Sequence, residues 1–133
     1  MQDNAVFKPG FRLSELDVGF MFLVFVWSAF LARFFEQLGI AALFALCHFF
    51  LFCNVLRATR LLELLWAAAF VGLWSSAYFR GVPSWPHTYA WAFAVTVAVT
   101  VVQVRLPSYH GVFWTVLNPR LPQWWEEQTG NQA

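Results

Sequence analysis

The chain has 133 residues, of which 60% are hydrophobic and 11% charged, and its formal net charge is +1. Soluble globular domains carry about 25% charged residues, so this composition calls for lipid as a solvent. A single lysine, Lys8, and a near-neutral balance exclude a nucleic-acid-binding role, which needs a basic stripe to displace counterions from phosphates.

The few charges are segregated. None occurs from Val18 to Ala32, from Gln37 to Leu56, from Leu64 to Phe79 or from Gly81 to Val104. Each gap is close to the length of about 17 to 25 residues that a helix needs to cross a hydrocarbon core of about 30 Å. The pattern predicts an all-α membrane protein with four transmembrane helices in an up-down bundle and a short interfacial C-terminal helix.

Residues 1–15 read as an N-terminal arm broken at Pro9-Gly10, with Ser14 as the N-cap of the first crossing and Asp17 at its third helical position. The arm is polar and of mixed charge, so no cleavable signal is expected and the first crossing is retained. That crossing, 16–35, carries six phenylalanines, Phe20, Phe22, Phe25, Phe30, Phe34 and Phe35. The second, 38–56, is equally apolar all round, as lipid-facing helices are.

The third crossing, 61–79, has Ala68, Gly72 and Ser76 at four-residue spacing, and the fourth, 88–104, has Ala90, Ala94 and Ala98. Small residues at this spacing let helix backbones approach closely, so both stripes are expected to face other helices. Between these crossings lies a proline-containing turn, Arg80 to His87, with Trp85 at the interface. In the tail, 105–133, Ser108 is expected to cap a surface helix carrying Tyr109, Val112, Phe113, Val116 and Leu117 on one face, ended by Asn118-Pro119. Trp114, Trp124 and Trp125 fit the headgroup depth as interfacial anchors, and the end from Glu126 onward is expected to fray.

Placing both termini and the turn near Arg57 on one side puts Lys8, Arg12, Arg57, Arg60, Arg105 and Arg120 there, against Arg33 and Arg80 opposite. The excess of basic residues marks the cytoplasmic side of a cell (inner) membrane. No glycine or proline marks the turn itself, but a continuous helix would bury two arginines at about 2.5–3.5 kcal/mol each, so a hairpin is expected.

Asn54, Arg57, Arg60 and Glu63 form the most polar stretch. Arg60 and Glu63 are spaced to pair on a helix, and Arg57 is expected to reach the same carboxylate across the turn. Such a cluster serves either as a structural clasp or as a site for an anionic headgroup or a partner's carboxylate. His48 is the titratable side chain nearest mid-membrane, expected to hydrogen-bond a neighbouring helix; as a ligand it would serve haem or quinone chemistry, with haem requiring an oligomer that pairs His48 with its copy. At about 100° per residue Cys47, His48 and Cys53 diverge on one helix, so no metal site is expected.

No phosphate loop, His-Glu-x-x-His or nucleophile–base pattern is present. These residues lead to a non-catalytic accessory, scaffold or assembly subunit of a larger membrane complex, without a cofactor and with the bilayer and other membrane subunits, or its own copies, as partners. The alternatives are a small oligomeric transporter or channel lined by Asn54, Thr96, Thr100 and Gln103, and a membrane redox protein using His48.

Overall fold

The computed structural model describes residues 7–130; residues 1–6 of the expected arm and 131–133 of the expected tail lie outside the described residues. The chain is all-helical, 77% helix, with no strand among the described residues. Helices α1 (Glu15–Phe34), α2 (Glu36–Phe50), α3 (Arg60–Arg80), α4 (Trp85–Val104), α5 (Trp114–Leu117) and α6 (Leu121–Gly130) follow in order, and α2 continues into a π-helical segment, Leu51–Leu56. Four of these runs, with the π-helical segment counted in the second, are long and apolar enough to cross a membrane.

Helix α1 begins where the sequence expects it. Ser14 Oγ accepts from the Asp17 backbone N–H at 3.1 Å, and the Asp17 carboxylate accepts from the Ser14 N–H at 2.9 Å, closing a capping box. One residue, Phe35, separates α1 from α2. The two helices then pack so tightly that a Cβ on Gly39 would lie 2.5 Å from Ala32 N and 2.6 Å from Ala32 Cα. A backbone cannot yield to such a clash, so this crossing requires glycine.

Helix α3 ends at Gly81, whose φ of 68° is left-handed and whose N–H reaches Ala77 O at 3.0 Å. Helix α4 starts at Trp85, three residues before its expected beginning at 88. Ser84 occupies the N-cap in extended backbone, and Pro86 falls in the first turn, where no intrahelical N–H is lost.

The core lies among α2, α3 and α4. Phe52, Trp66, Phe70, Ala92, Val99 and Tyr109 are buried together, with Phe44 and Tyr89 packed against them. Phe44, Trp66 and Phe70 stack with ring centroids 5.2–6.2 Å apart, the offset geometry aromatic pairs favour. Helix α1 packs mainly on α2 and buries only Ser28; its phenylalanines at 20, 22, 25, 30 and 34 are exposed.

The tail departs from expectation. The surface helix expected from Ser108 is absent, and 108–113 turns inward instead. Tyr109 is 1% exposed, its hydroxyl donates to Val112 O at 2.7 Å, and only Trp114–Leu117 is helical. Gly111 makes this possible, since a Cβ there would sit 2.6 Å from Leu56 O and 2.7 Å from Val55 O. The expected fraying from Glu126 is also corrected: α6 runs to Gly130, anchored by the fully buried Leu121.

Alanine at Gly39 or at Gly111 is expected to destabilise the chain by about 1–3 kcal/mol, as overpacking does. Alanine at Gly19, where an added Cβ meets nothing within 4 Å, should leave the thermal midpoint in detergent unchanged. Equal midpoints for all three variants would contradict the two close approaches.

Candidate functional site

The residues singled out in the sequence separate into an aromatic cluster around His48 and a polar assembly at the end of α2. His48 is buried, and its Nδ1 lies 2.7 Å from Phe44 O, one turn back on its own helix. A carbonyl only accepts, so Nδ1 carries the proton there and Nε2 is the acceptor nitrogen. Contact with the neighbouring helix is made by stacking: the imidazole lies 4.6 Å from the Trp66 ring at an interplanar angle of 11°. Trp66 Nε1 in turn donates to Thr96 Oγ1 at 2.8 Å, and Thr96 Oγ1 to Ala92 O at 3.0 Å.

His48 is thus held between its own helix and Trp66, with 7% of its surface exposed. Cys47 is exposed, while Cys53 is half-buried with its thiol directed at Glu63 Oε1, 3.4 Å away. Cys47 and Cys53 therefore face different surroundings from His48, in keeping with their divergence around the helix.

At the end of α2 the hydrogen bonding changes register. The π-helical segment is capped by Arg57 in the left-handed region, φ 49° and ψ 51°, a conformation usually left to glycine or asparagine. Phe52 O accepts from the N–H groups of both Arg57 and Ala58. Asn54 O accepts from Arg12 N–H at 3.2 Å, and Val55 O from Val112 N–H at 2.9 Å. The carbonyls that end a helix have no partner within it, and here the turn, the N-terminal arm and the segment after α4 each supply a donor. Gly10 N–H, donating to His110 O at 2.7 Å, ties the last two together.

Gln103 on α4 completes the assembly. It is 1% exposed, accepts from Thr59 N–H at 3.2 Å and donates to Arg57 O at 3.5 Å, so one side chain holds both backbone ends of the α2–α3 turn. With Thr96 and Gln103 committed to internal bonds, two of the four residues weighed as channel-lining groups are occupied.

The arginines expected to share Glu63 are divided. Arg60 pairs with it at 3.1 Å, and its side chain is 86% exposed. Arg57 instead donates to Lys8 O, while Asn54 is buried and joins the assembly through its carbonyl. Beside them Lys8, Arg12, Arg57 and His110 line a cavity of about 550 Å3 walled by Phe11 and Trp125. Burial, and after it the Arg12 guanidinium, hold the Arg57 pKa below the ordinary arginine value.

Of the expected interfacial tryptophans, Trp114 and Trp125 pack on Phe7, with centroids 5.9 and 5.5 Å away, Trp85 lies 6.0 Å from Trp74, and Trp124 is half-buried on α6. The stripes Ala68, Gly72, Ser76 and Ala90, Ala94, Ala98 do not face other helices of this chain. All are exposed except the half-buried Ser76, while Trp66, Phe70, Ala77 and Thr88, Ala92, Thr96, Val99, Gln103 form the buried faces.

No protein-family profile, curated protein or solved structure matches this chain.

Replacing Gln103 by leucine removes its hydrogen bonds to the Thr59 N–H and the Arg57 carbonyl, at about 0.5–1.5 kcal/mol for each bond lost. Removing the exposed Arg60–Glu63 pair with Arg60→Ala is expected to change stability by less than about 1 kcal/mol. Thermal unfolding in detergent should rank the two in that order; the reverse ranking would make the ion pair, not Gln103, the fastener of the turn.

Proposed function

We propose that this chain is a non-catalytic accessory or scaffold subunit of a larger complex in the cell (inner) membrane. Its four long helices cross up and down, with both termini cytoplasmic, and it docks transmembrane helices of a different protein on the outer faces of α3 and α4. The outward position of the two small-residue stripes carries this reading. Among the described residues, a Cβ added to Gly72 meets nothing within 4 Å, and Ala68, Ala90, Ala94 and Ala98 are exposed. In lipid, apolar bulk gives helices no reason to associate, and small residues allow the close packing that does. The polar side chains inside the fold point the same way, because His48, Trp66, Thr96 and Gln103 are engaged in holding helices together.

Orientation rests on charge. Lys8, Arg12 and Arg57 gather at the end of α2, and basic residues accumulate on the cytoplasmic side of membranes. The six-to-two bias also argues against antiparallel pairing of two copies inserted in opposite directions.

Photo-crosslinking residues placed at positions 72 and 94 are expected to capture one and the same heterologous membrane protein, and a residue at exposed position 22 on α1 to capture lipid only. Gly72→Leu should reduce recovery of that partner in mild detergent at least tenfold without lowering the thermal midpoint of the isolated chain. Capture of only its own copies, or undiminished recovery with Gly72→Leu, would overturn the subunit reading.

A further inference from the structure

The cavity beside the end of α2 has a composition that the subunit reading does not use. Lys8 and Arg12 come from the arm, Arg57 from the α2–α3 turn and His110 from the segment after α4, so three separate parts of the chain bring basic side chains to one concavity. Among the described residues no acidic side chain lines it, and the ion pair present is Arg60–Glu63, outside this cavity. Like charges held together repel, and the arrangement persists because backbone bonds fix it: Arg12 N–H to Asn54 O, and Gly10 N–H to His110 O. Phe11 and Trp125 add an apolar wall.

We propose that this cavity is a binding site for a phosphate group, supplied by the headgroup of an anionic membrane lipid whose acyl chains lie along the apolar wall. Arg12 carries a guanidinium fork suited to two phosphate oxygens, Arg57 adds the N–H groups it does not spend on Lys8 O, and Lys8 adds a third positive charge. A bound phosphate neutralises the mutual repulsion of the arginines, and its negative charge offsets the burial that lowers the Arg57 pKa. An aromatic wall beside basic side chains at the level of the helix ends suits a headgroup at a membrane interface. This inference is independent of the partner-docking reading, since none of the stripe residues lines the cavity.

The test uses the full chain in a neutral detergent and follows tryptophan fluorescence during titration with short-chain phosphatidic acid, short-chain phosphatidylcholine or inorganic phosphate. Phosphatidic acid is expected to bind saturably, and phosphatidylcholine at least tenfold more weakly. Arg12→Gln, which keeps the backbone bond to Asn54 O, and Arg57→Gln should each weaken phosphatidic acid binding at least tenfold. Arg120→Gln removes the same charge outside the cavity and should leave affinity within twofold. Inorganic phosphate binding as tightly as phosphatidic acid would overturn the lipid as source and leave a soluble phosphate as the ligand. An equal loss from Arg120→Gln, or none from either cavity variant, would overturn the site itself.

Discussion

The carbonyl groups that end α2 are the constraint on which the rest of the architecture depends. A helix leaves its final carbonyls without internal donors, and the π-helical segment at Leu51–Leu56 shifts which residues present them. Phe52 O, Asn54 O and Val55 O are met by donors from the turn, from the arm and from the segment after α4. Because those donors are backbone N–H groups, satisfying them draws two irregular stretches of chain onto one helix end. Gly111 allows the approach, Gln103 on α4 holds the turn, and the basic cavity lies beside the same convergence.

A second organising element is the stack of Phe44, His48, Trp66 and Phe70, which joins α2 to α3, while the Trp66 indole bonded to Thr96 extends it to α4. If lipid surrounds the long helices, as the proposed function has it, burying further apolar area between them adds little, so flat ring contacts and a few polar bonds carry specificity. His48 belongs to this layer as a stacked ring that satisfies one of its nitrogens locally.

Much of the helical pattern is legible in the sequence, because the charge-free runs fall on the four helices long and apolar enough to cross a membrane, and because Ser14 and Asp17 form a local cap with a recognisable residue pattern. The Arg60–Glu63 pair was readable for the same reason, as an interaction three residues apart on one helix. What stayed hidden depends on distant backbone. An arginine in left-handed conformation carries no residue-type signal, and neither does a hydrogen bond from Val112 to Val55, so the residue pattern of 108–117 reads as a surface helix although 108–113 turns inward. The stripes were visible as stripes, but periodicity says which residues share a face and not what the face meets. Lys8, Arg12 and Arg57 were placed on one side by counting charge, yet only the fold brings them, with His110, around one cavity.

Backbone amide hydrogen exchange, resolved by residue in detergent or nanodiscs, tests the convergence on α2 most directly. Arg12 and Val112 lie outside every helix, yet their N–H groups donate to Asn54 O and Val55 O, so both should exchange at least a hundredfold more slowly than free peptide amides. Exchange of these two amides at free-peptide rates, with the long helices still protected, would contradict the arrangement in which the end of α2 gathers the arm and the tail.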